Sequence, residues 1–289
     1  MKPAPFEYHA ARSAAEAVEV LARHGDAAKV LAGGQSLVPM LNFRLARPGV
    51  LVDINNAADL DYLREADGVL VVGALVRQRK LERWAADRVP LIAEALRLVG
   101  HVAIRNRGTA VGNLAHGDPA SELPALLLCL DGAVVARNAG GERLIAASEL
   151  YLAPLTTSLA ADEILAEARF TLPPAGAGWG FAEVARRHGD FALAGCAALL
   201  WRDGDGRIAG ARLGFFGVGP TPVRGRAGEG LLLGLEPTPA RLREAARAAA
   251  ATLSPDGDLH ATADYRRRVA GVLAERTLIA ALERCASRP

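Results

Sequence analysis

Two glycine-bearing segments limit this chain more than anything else in it: Ala32-Gly33-Gly34-Gln35-Ser36, and Ile104-Arg105-Asn106-Arg107-Gly108-Thr109-Ala110-Val111-Gly112-Asn113. The first follows the apolar run Lys29-Val30-Leu31-Ala32, which reads as a buried strand, and leads into Ser36, a residue suited to capping the helix that follows. Paired glycines let the backbone turn with φ > 0 and expose consecutive N–H groups, and a helix N-terminus adds partial positive charge. The second segment leaves a helix at Gly100 and repeats that chemistry, with the Thr109 hydroxyl, Gly112 and the Asn113 side chain as further donors or tight-turn formers. Two such loops suit a diphosphate. Neither reads Gly-x-Gly-x-x-Gly and neither ends in Gly-Lys-Ser/Thr, which disfavours a Rossmann dinucleotide site and a P-loop.

At 289 residues the chain exceeds one ordinary small core, and two or three domains or subdomains are expected. Its 34 Lys plus Arg against 32 Asp plus Glu leave a net charge of +2, which gives no electrostatic case for nucleic acid or an acidic membrane surface. The N-terminus lacks the apolar core of a signal peptide, and no apolar run approaches the roughly 20 residues that span a bilayer. No transmembrane segment and a cytoplasmic location are therefore expected. Cys129, Cys196 and Cys285 are too far apart for a disulfide framework or a Cys-x-x-Cys site, and Cys129 and Cys196 read as core.

Ser13-Ala14-Ala15-Glu16 is a capping box that opens a helix ended by Gly25. A strand over 29–32, a glycine turn, a helix over 40–44 with Pro39 in its first turn, and a strand over 50–54 predict a small βαβ-like unit. Strands over 60–64 and 69–72 flank Asp67-Gly68 as a hairpin, and helices over 77–86 and 90–99 lead into the second glycine segment, read as a loop. A helix over 122–130 and strands over 133–138, 143–147 and 164–171 precede Pro173-Pro174-Ala175-Gly176-Ala177-Gly178, the best linker in the sequence. Beyond it, strands near 181–185, 194–201 and 207–216 predict an antiparallel meander. Two helices follow, one opened by Thr238-Pro239 and the other over about 263–285.

Lys2-Pro3, Leu31-Ala32-Gly33-Gly34-Gln35-Ser36-Leu37-Val38-Pro39, Ile104-Arg105-Asn106-Arg107-Gly108-Thr109, Leu114-Ala115-His116-Gly117-Asp118-Pro119-Ala120-Ser121-Glu122-Leu123-Pro124 and Gly189-Asp190-Phe191-Ala192 fall in order along nearly the whole chain. Together they resemble the medium, FAD-binding subunit of the carbon monoxide dehydrogenase and xanthine dehydrogenase family of molybdenum hydroxylases. The resemblance implies an α+β chain. Residues 1–56 and 57–174 would form a two-subdomain FAD-binding fold of the vanillyl-alcohol oxidase (PCMH) type, and residues 179–289 a C-terminal α+β domain of antiparallel sheet plus helices.

Position by position, the resemblance implies that Val30, Leu31, Ala32, Gly33, Gly34, Gln35 and Ser36 surround the diphosphate of noncovalently bound FAD with its flanking ribityl and ribose. Thr109, Ala110, Val111, Gly112 and Asn113 form the second wall. Val99 and Gly100 border the adenine, Glu122 accepts hydrogen bonds from FAD, Leu165 lines the flavin ring and Phe191 fills an aromatic place near the isoalloxazine. Taken alone, Val99 and Leu165 read as core, Glu122 as an acid favouring a first helical turn, and Phe191 as a packing aromatic. Arg105 and Arg107 either counter the diphosphate charge or face solvent or a partner. His116 and Asp118 suit turn hydrogen bonds better than a metal. Val111 stands where the family's pattern has glycine, and a β-branched residue strongly resists φ > 0, which predicts a departure in this loop. Ala182-Glu183 follow Phe181 where many relatives carry a lysine, and flavin potential or acceptor access is expected to differ accordingly.

The resemblance also implies a division of labour. A large subunit with a molybdopterin-molybdenum cofactor hydroxylates the substrate, a small subunit with two [2Fe-2S] clusters relays electrons, and FAD on this chain passes them to an external acceptor, in a dimer of heterotrimers. No catalytic residue is implied here. The alternative is a self-sufficient flavin-dependent oxidase or reductase on the same fold, with Arg186, Arg187, His188 and Asp190 as the polar cluster available for acid–base work. A cofactor-free scaffold is a third reading.

Overall fold

Short apolar runs separated by capped helices give the first layer. A computed structural model describes residues 2–285. β1 (Glu7–Ala10), α1 (Ala14–His24), β2 (Ala28–Leu31), α2 (Leu37–Asn42) and β3 (Val50–Asp53) form a parallel sheet in the order β1-β3-β2. Ser13 Oγ accepts from the Glu16 amide at 3.1 Å and Glu16 Oε2 accepts from the Arg12 amide, so the box opens α1. β1 has no counterpart among the expected strands, because three of its four residues are exposed and no apolar alternation marks it. The helix expected over 40–44 begins at Leu37 and has ended by Arg44, whose φ is +57°.

The second unit comprises β4 (Leu63–Ala66), β5 (Val69–Gly73), α3 (Gln78–Ala85), α4 (Pro90–Leu98), α5 (Val102–Arg107), α6 (Ala110–His116) and α7 (Glu122–Cys129). It continues through β6 (Ala133–Asn138), β7 (Gly141–Ala146), α8 (Ala147–Leu150), β8 (Tyr151–Ala153), β9 (Thr156–Thr157) and β10 (Ile164–Thr171). Five strands make an antiparallel sheet in the order β4-β5-β10-β6-β7, while β8 and β9 pair as a separate hairpin. Asp67 and Gly68 both take positive φ, which suits the two-residue turn between β4 and β5. Two expectations fail here. The strand expected over 60–64 begins only at Leu63, and Leu60 instead closes a 3-10 turn over 58–60. The stretch read as a loop over 104–113 is two short helices broken only at Gly108-Thr109, where Gln78 N–H donates to the Gly108 carbonyl and Ala110 N–H to that of Val76.

After residue 177, β11 (Gly178–Ala185), β12 (Ala192–Arg202), β13 (Ile208–Phe216) and β14 (Val223–Arg224) run as an antiparallel meander, followed by α9 (Arg226–Gly230), α10 (Pro239–Ala251) and α11 (Ala263–Arg284). The overall class is α+β. Alternation divides the sheet between two cores: Phe181, Ala197, Leu199 and Phe216 join the core of the preceding units, whereas Cys196, Ala198, Leu200 and Phe215 pack with α10 and α11. Cys129 and Cys196 are fully buried, and burial pushes the Cys129 thiol up to about 12 and raises that of Cys196. No helix among the described residues is long and apolar enough to cross a membrane.

Backbone contact fixes how the layers stack. A Cβ on Gly180 would lie 2.2 Å from the Thr277 carbonyl of α11, and one on Gly214 would lie 2.6 Å from the Ala125 carbonyl of α7. Helices thus sit directly on the strands from both sides. Gly180→Ala should cost about 1–3 kcal/mol through overpacking, read as a lower denaturation midpoint with an unchanged slope.

Candidate cofactor site

The two glycine segments meet. A cavity of about 780 Å³ opens between them and is closed by β10, the β8–β9 hairpin and the β11–β12 turn. Gly33 is where they touch: a Cβ there would fall 2.6 Å from the Arg107 carbonyl and 2.7 Å from Gly108 Cα. Gly34 follows with φ +74°, the left-handed turn that sends the chain into α2.

The junction is tied from behind. Arg77 donates to the Arg107 carbonyl at 2.6 Å and to Asn55 Oδ1 at 2.7 Å, and Asn55 Nδ2 donates to the Ala32 carbonyl at 2.8 Å. Burial, then the neighbouring Arg107 charge, lowers the Arg77 pKa from its ordinary value. With the Ala32 carbonyl drawn back to Asn55, the amides of Gly33, Gly34, Gln35 and Ser36 make no backbone hydrogen bond among the described residues. Consecutive amides of this kind form a concavity for anionic oxygen. Ser36 occupies the N-cap position of α2, but its side chain makes no cap bond, contrary to expectation.

On the facing wall, Thr109 Oγ1 accepts from the Gly112 amide at 3.1 Å and so caps α6. A Cβ on Gly112 would lie 2.5 Å from that oxygen, which is the physical demand for glycine here. Val111 is buried in the first turn of α6 and its φ is not positive. The departure expected from its β-branching therefore does not arise, because the segment is helix and not a left-handed turn.

All the sequence-derived positions border the cavity except Leu31 and Ala110. Ala110 is wholly buried, with its amide spent on Val76, and Leu31 packs beneath Gly34. Val99 and Leu165 present buried apolar walls, and Gly100 turns with φ +49°. Phe191 is 75 % exposed on the rim, on a turn seated by Gly189, where a Cβ would lie 2.7 Å from the His101 ring. Glu122 borders the cavity from the first turn of α7 and is only 7 % exposed; burial, then the charge of Glu183, raises it to about 8.

Other candidates lie elsewhere. Arg105 is buried, pairing with Glu82 at 3.0 Å and donating to the carbonyls of Val99 and Gly100, so it fixes the turn and cannot counter a diphosphate. Asp118 accepts from the Ala120 amide in a turn, and no cluster of three metal-ligating side chains occurs among the described residues. Of the polar cluster 186–190, Arg186 meets His260 and Arg187 pairs with Asp190. Sequence reasoning missed Arg77, Asn55, Gln78 and the wall from Leu155, Thr156, Thr157 and Leu159. Gln78 Oε1 and Asn113 Oδ1 are buried without partners, and both residues border the cavity. Unspent amides beside orphaned acceptors fit a molecule with both anionic phosphates and hydroxyl donors, the chemistry of a flavin dinucleotide.

Comparison with known proteins agrees. Residues 4–173 match the FAD binding domain in molybdopterin dehydrogenase, and residues 179–281 the CO dehydrogenase flavoprotein C-terminal domain. The chain belongs to the FAD-binding medium subunits of the molybdenum hydroxylase family, which are components of molybdenum-dependent dehydrogenases. It is 41 % identical to the alpha subunit of the 6-hydroxypseudooxynicotine dehydrogenase complex of Paenarthrobacter nicotinovorans, over 98 % of this chain and 97 % of that one. It is 38 % identical to the carbon monoxide dehydrogenase medium chain of Hydrogenophaga pseudoflava, over 99 % and 100 %. The solved carbon monoxide dehydrogenase from Hydrogenophaga pseudoflava that lacks the Mo-pyranopterin moiety superposes with a TM-score of 0.95 at 39 % identity, covering 99 % and 100 % of the two chains. Quinoline 2-oxidoreductase from Pseudomonas putida 86 gives 0.92 at 34 % identity, covering 98 % and 99 %.

Gly33→Ala should force the two segments apart. An overpacking cost of about 1–3 kcal/mol corresponds to about 5- to 150-fold weaker FAD binding, measured by flavin fluorescence on the FAD-free chain. Arg77→Met, which cuts the tie without filling the contact, should weaken it in the same direction.

Proposed function

We propose that this chain is the electron-exit subunit of its complex, holding FAD noncovalently and passing electrons from [2Fe-2S] clusters on a small partner subunit to an external acceptor. The observation that carries the reading is the convergence of the unspent amides after β2 and the Thr109-capped start of α6 on one cavity of about 780 Å³. The diphosphate would lie against the amides of Gly33, Gly34, Gln35 and Ser36 and the N-terminal turn of α6, where the helix dipole favours negative charge. Gln78 Oε1 and Asn113 Oδ1 would accept from sugar hydroxyls. Val99 and Gly100 would border the adenine, while Leu165 and Phe191 would flank the ring system.

Bound flavin supplies reversible two-electron redox chemistry. The residues of this chain bind and orient it and exclude water from its inner face. Substrate oxidation belongs to a large molybdopterin-containing subunit. The assembly is a dimer of heterotrimers in the cytoplasm, and the three segments 1–56, 57–174 and 179–289 are its structural units here.

Purification of the native complex by a tag on this chain should bring down two further subunits with molybdenum, iron and flavin. The flavin should leave the protein on acid denaturation. The separated chain should bind FAD yet oxidise no organic substrate. Turnover by the chain alone, or flavin that stays attached after denaturation, would overturn the reading.

A further inference from the structure

The tie behind the amide concavity does not end at Asn55. β3 closes on Asp53, whose Oδ1 accepts twice from Asn55, from the backbone amide at 2.9 Å and from Nδ2 at 2.6 Å. Its Oδ2 accepts from the Tyr8 hydroxyl at 2.7 Å, and Tyr8 lies in β1 two positions before Ala10, the register partner of Asp53. An Asx turn at the end of a strand needs only the first of these bonds. The other two hold the carboxylate in place and aim it at a side-chain amide.

Both ends of that amide are thereby specified. Asn55 Nδ2 spends one hydrogen on Asp53 Oδ1 and the other on the Ala32 carbonyl at 2.8 Å, while Asn55 Oδ1 accepts from Arg77 at 2.7 Å. A carboxylate only accepts and a guanidinium only donates, so the pair admits one orientation of the amide between them. Turning it over would set its oxygen against the Asp53 carboxylate and the Ala32 carbonyl, and its nitrogen against the Arg77 cation. Asp53 also acts on Arg77 through its charge: burial lowers that guanidinium, and Asp61 and then Asp53 pull the other way. Asp61 is held at 2.8 Å by Lys80, which leaves the Asp53–Asn55–Arg77 line as the one that leads to the cavity wall.

We propose that Asp53 is a positioning residue for the cofactor site: by selecting the orientation of the Asn55 amide it keeps the Ala32 carbonyl drawn back and leaves the amides of Gly33, Gly34, Gln35 and Ser36 free for the diphosphate. Neither Asp53 nor Asn55 borders the cavity, so the effect passes through Ala32, which does. An Ala32 carbonyl released toward the cavity would present a partial negative charge to phosphate oxygens, in place of the donors that an anion needs. The effect on FAD rests on the cofactor reading above, whereas the orientation of Asn55 is a property of the chain itself.

The test has two arms, both on the purified full-length chain freed of FAD. In the first, FAD affinity is measured by flavin fluorescence for Asp53→Ala, Asn55→Ala and the double variant. Each single change should weaken binding about tenfold, and the double change no more than either, because Asp53 acts only through Asn55. Asp53→Asn keeps an acceptor for both Asn55 donors and should bind within about threefold of wild type. In the second arm, asparagine is labelled with 15N and the Asn55 side-chain amide protons, assigned by their loss in Asn55→Ala, are followed by NMR. They should exchange slowly with solvent in wild type and fast in Asp53→Ala. Wild-type affinity in Asp53→Ala, losses that add in the double variant, or a loss in Asp53→Asn as large as in Asn55→Ala overturns the positioning role. Fast exchange of the Asn55 amide in wild type overturns the fixed orientation, and that measurement needs no variant of Asp53 to fold. Failure of the wild type to bind FAD would strike the cofactor reading instead, while the exchange arm still decides the orientation.

Discussion

The structure depends on one steric allowance, the missing side chain at Gly33. Because that residue is bare, the turn after β2 can lie against the backbone of Arg107, Gly108 and Thr109, bringing the first unit within van der Waals contact of the break between α5 and α6 in the second. The tie from Arg77 through Asn55 to Ala32 then fixes which way the carbonyls point. Donors are left facing inward because acceptors have been drawn outward. The anion site is thus a by-product of how the first two units are sutured, with no charged side chain needed at its centre.

α7 does the equivalent work on the other side. All of its residues are buried, and Gly214 lets its backbone approach β13 as closely as the two glycine turns approach each other. Its first residue, Glu122, reaches the cavity while its remaining turns join the two halves of the molecule. A carboxylate placed there gains from the helix N-terminus and loses from burial, and burial is the larger effect.

Features with a local signature were legible in the sequence. Ser13 and Glu16 announce α1, Asp67-Gly68 a tight hairpin, Pro90 and Thr238-Pro239 helix starts, and the apolar runs on either side of Asp203-Gly204-Asp205-Gly206 the meander. Both glycine segments also announced themselves, although the second was read as a loop because Gly108 and Gly112 are poor helix formers; Gly112 is tolerated since it makes room for the Thr109 cap. What stayed hidden is long-range. Arg77 meets partners 22 and 30 residues away, and Thr156, Thr157 and Leu159 line the cavity only because the β8–β9 hairpin folds over it. β1 escaped because parallel pairing with β3 requires no apolar stripe when one side is open.

The rim has its own consequence. Gly189 seats the β11–β12 turn against His101 and presents Phe191 at the cavity mouth, so the outer edge of the trough is supplied by a stretch translated about ninety residues after the ring it rests on. On the ribosome the nascent N-terminal units would expose an unroofed trough, and the finished binding surface exists only when the later sheet has emerged and docked. Cofactor capture and completion of the polypeptide are thereby placed in a fixed temporal order.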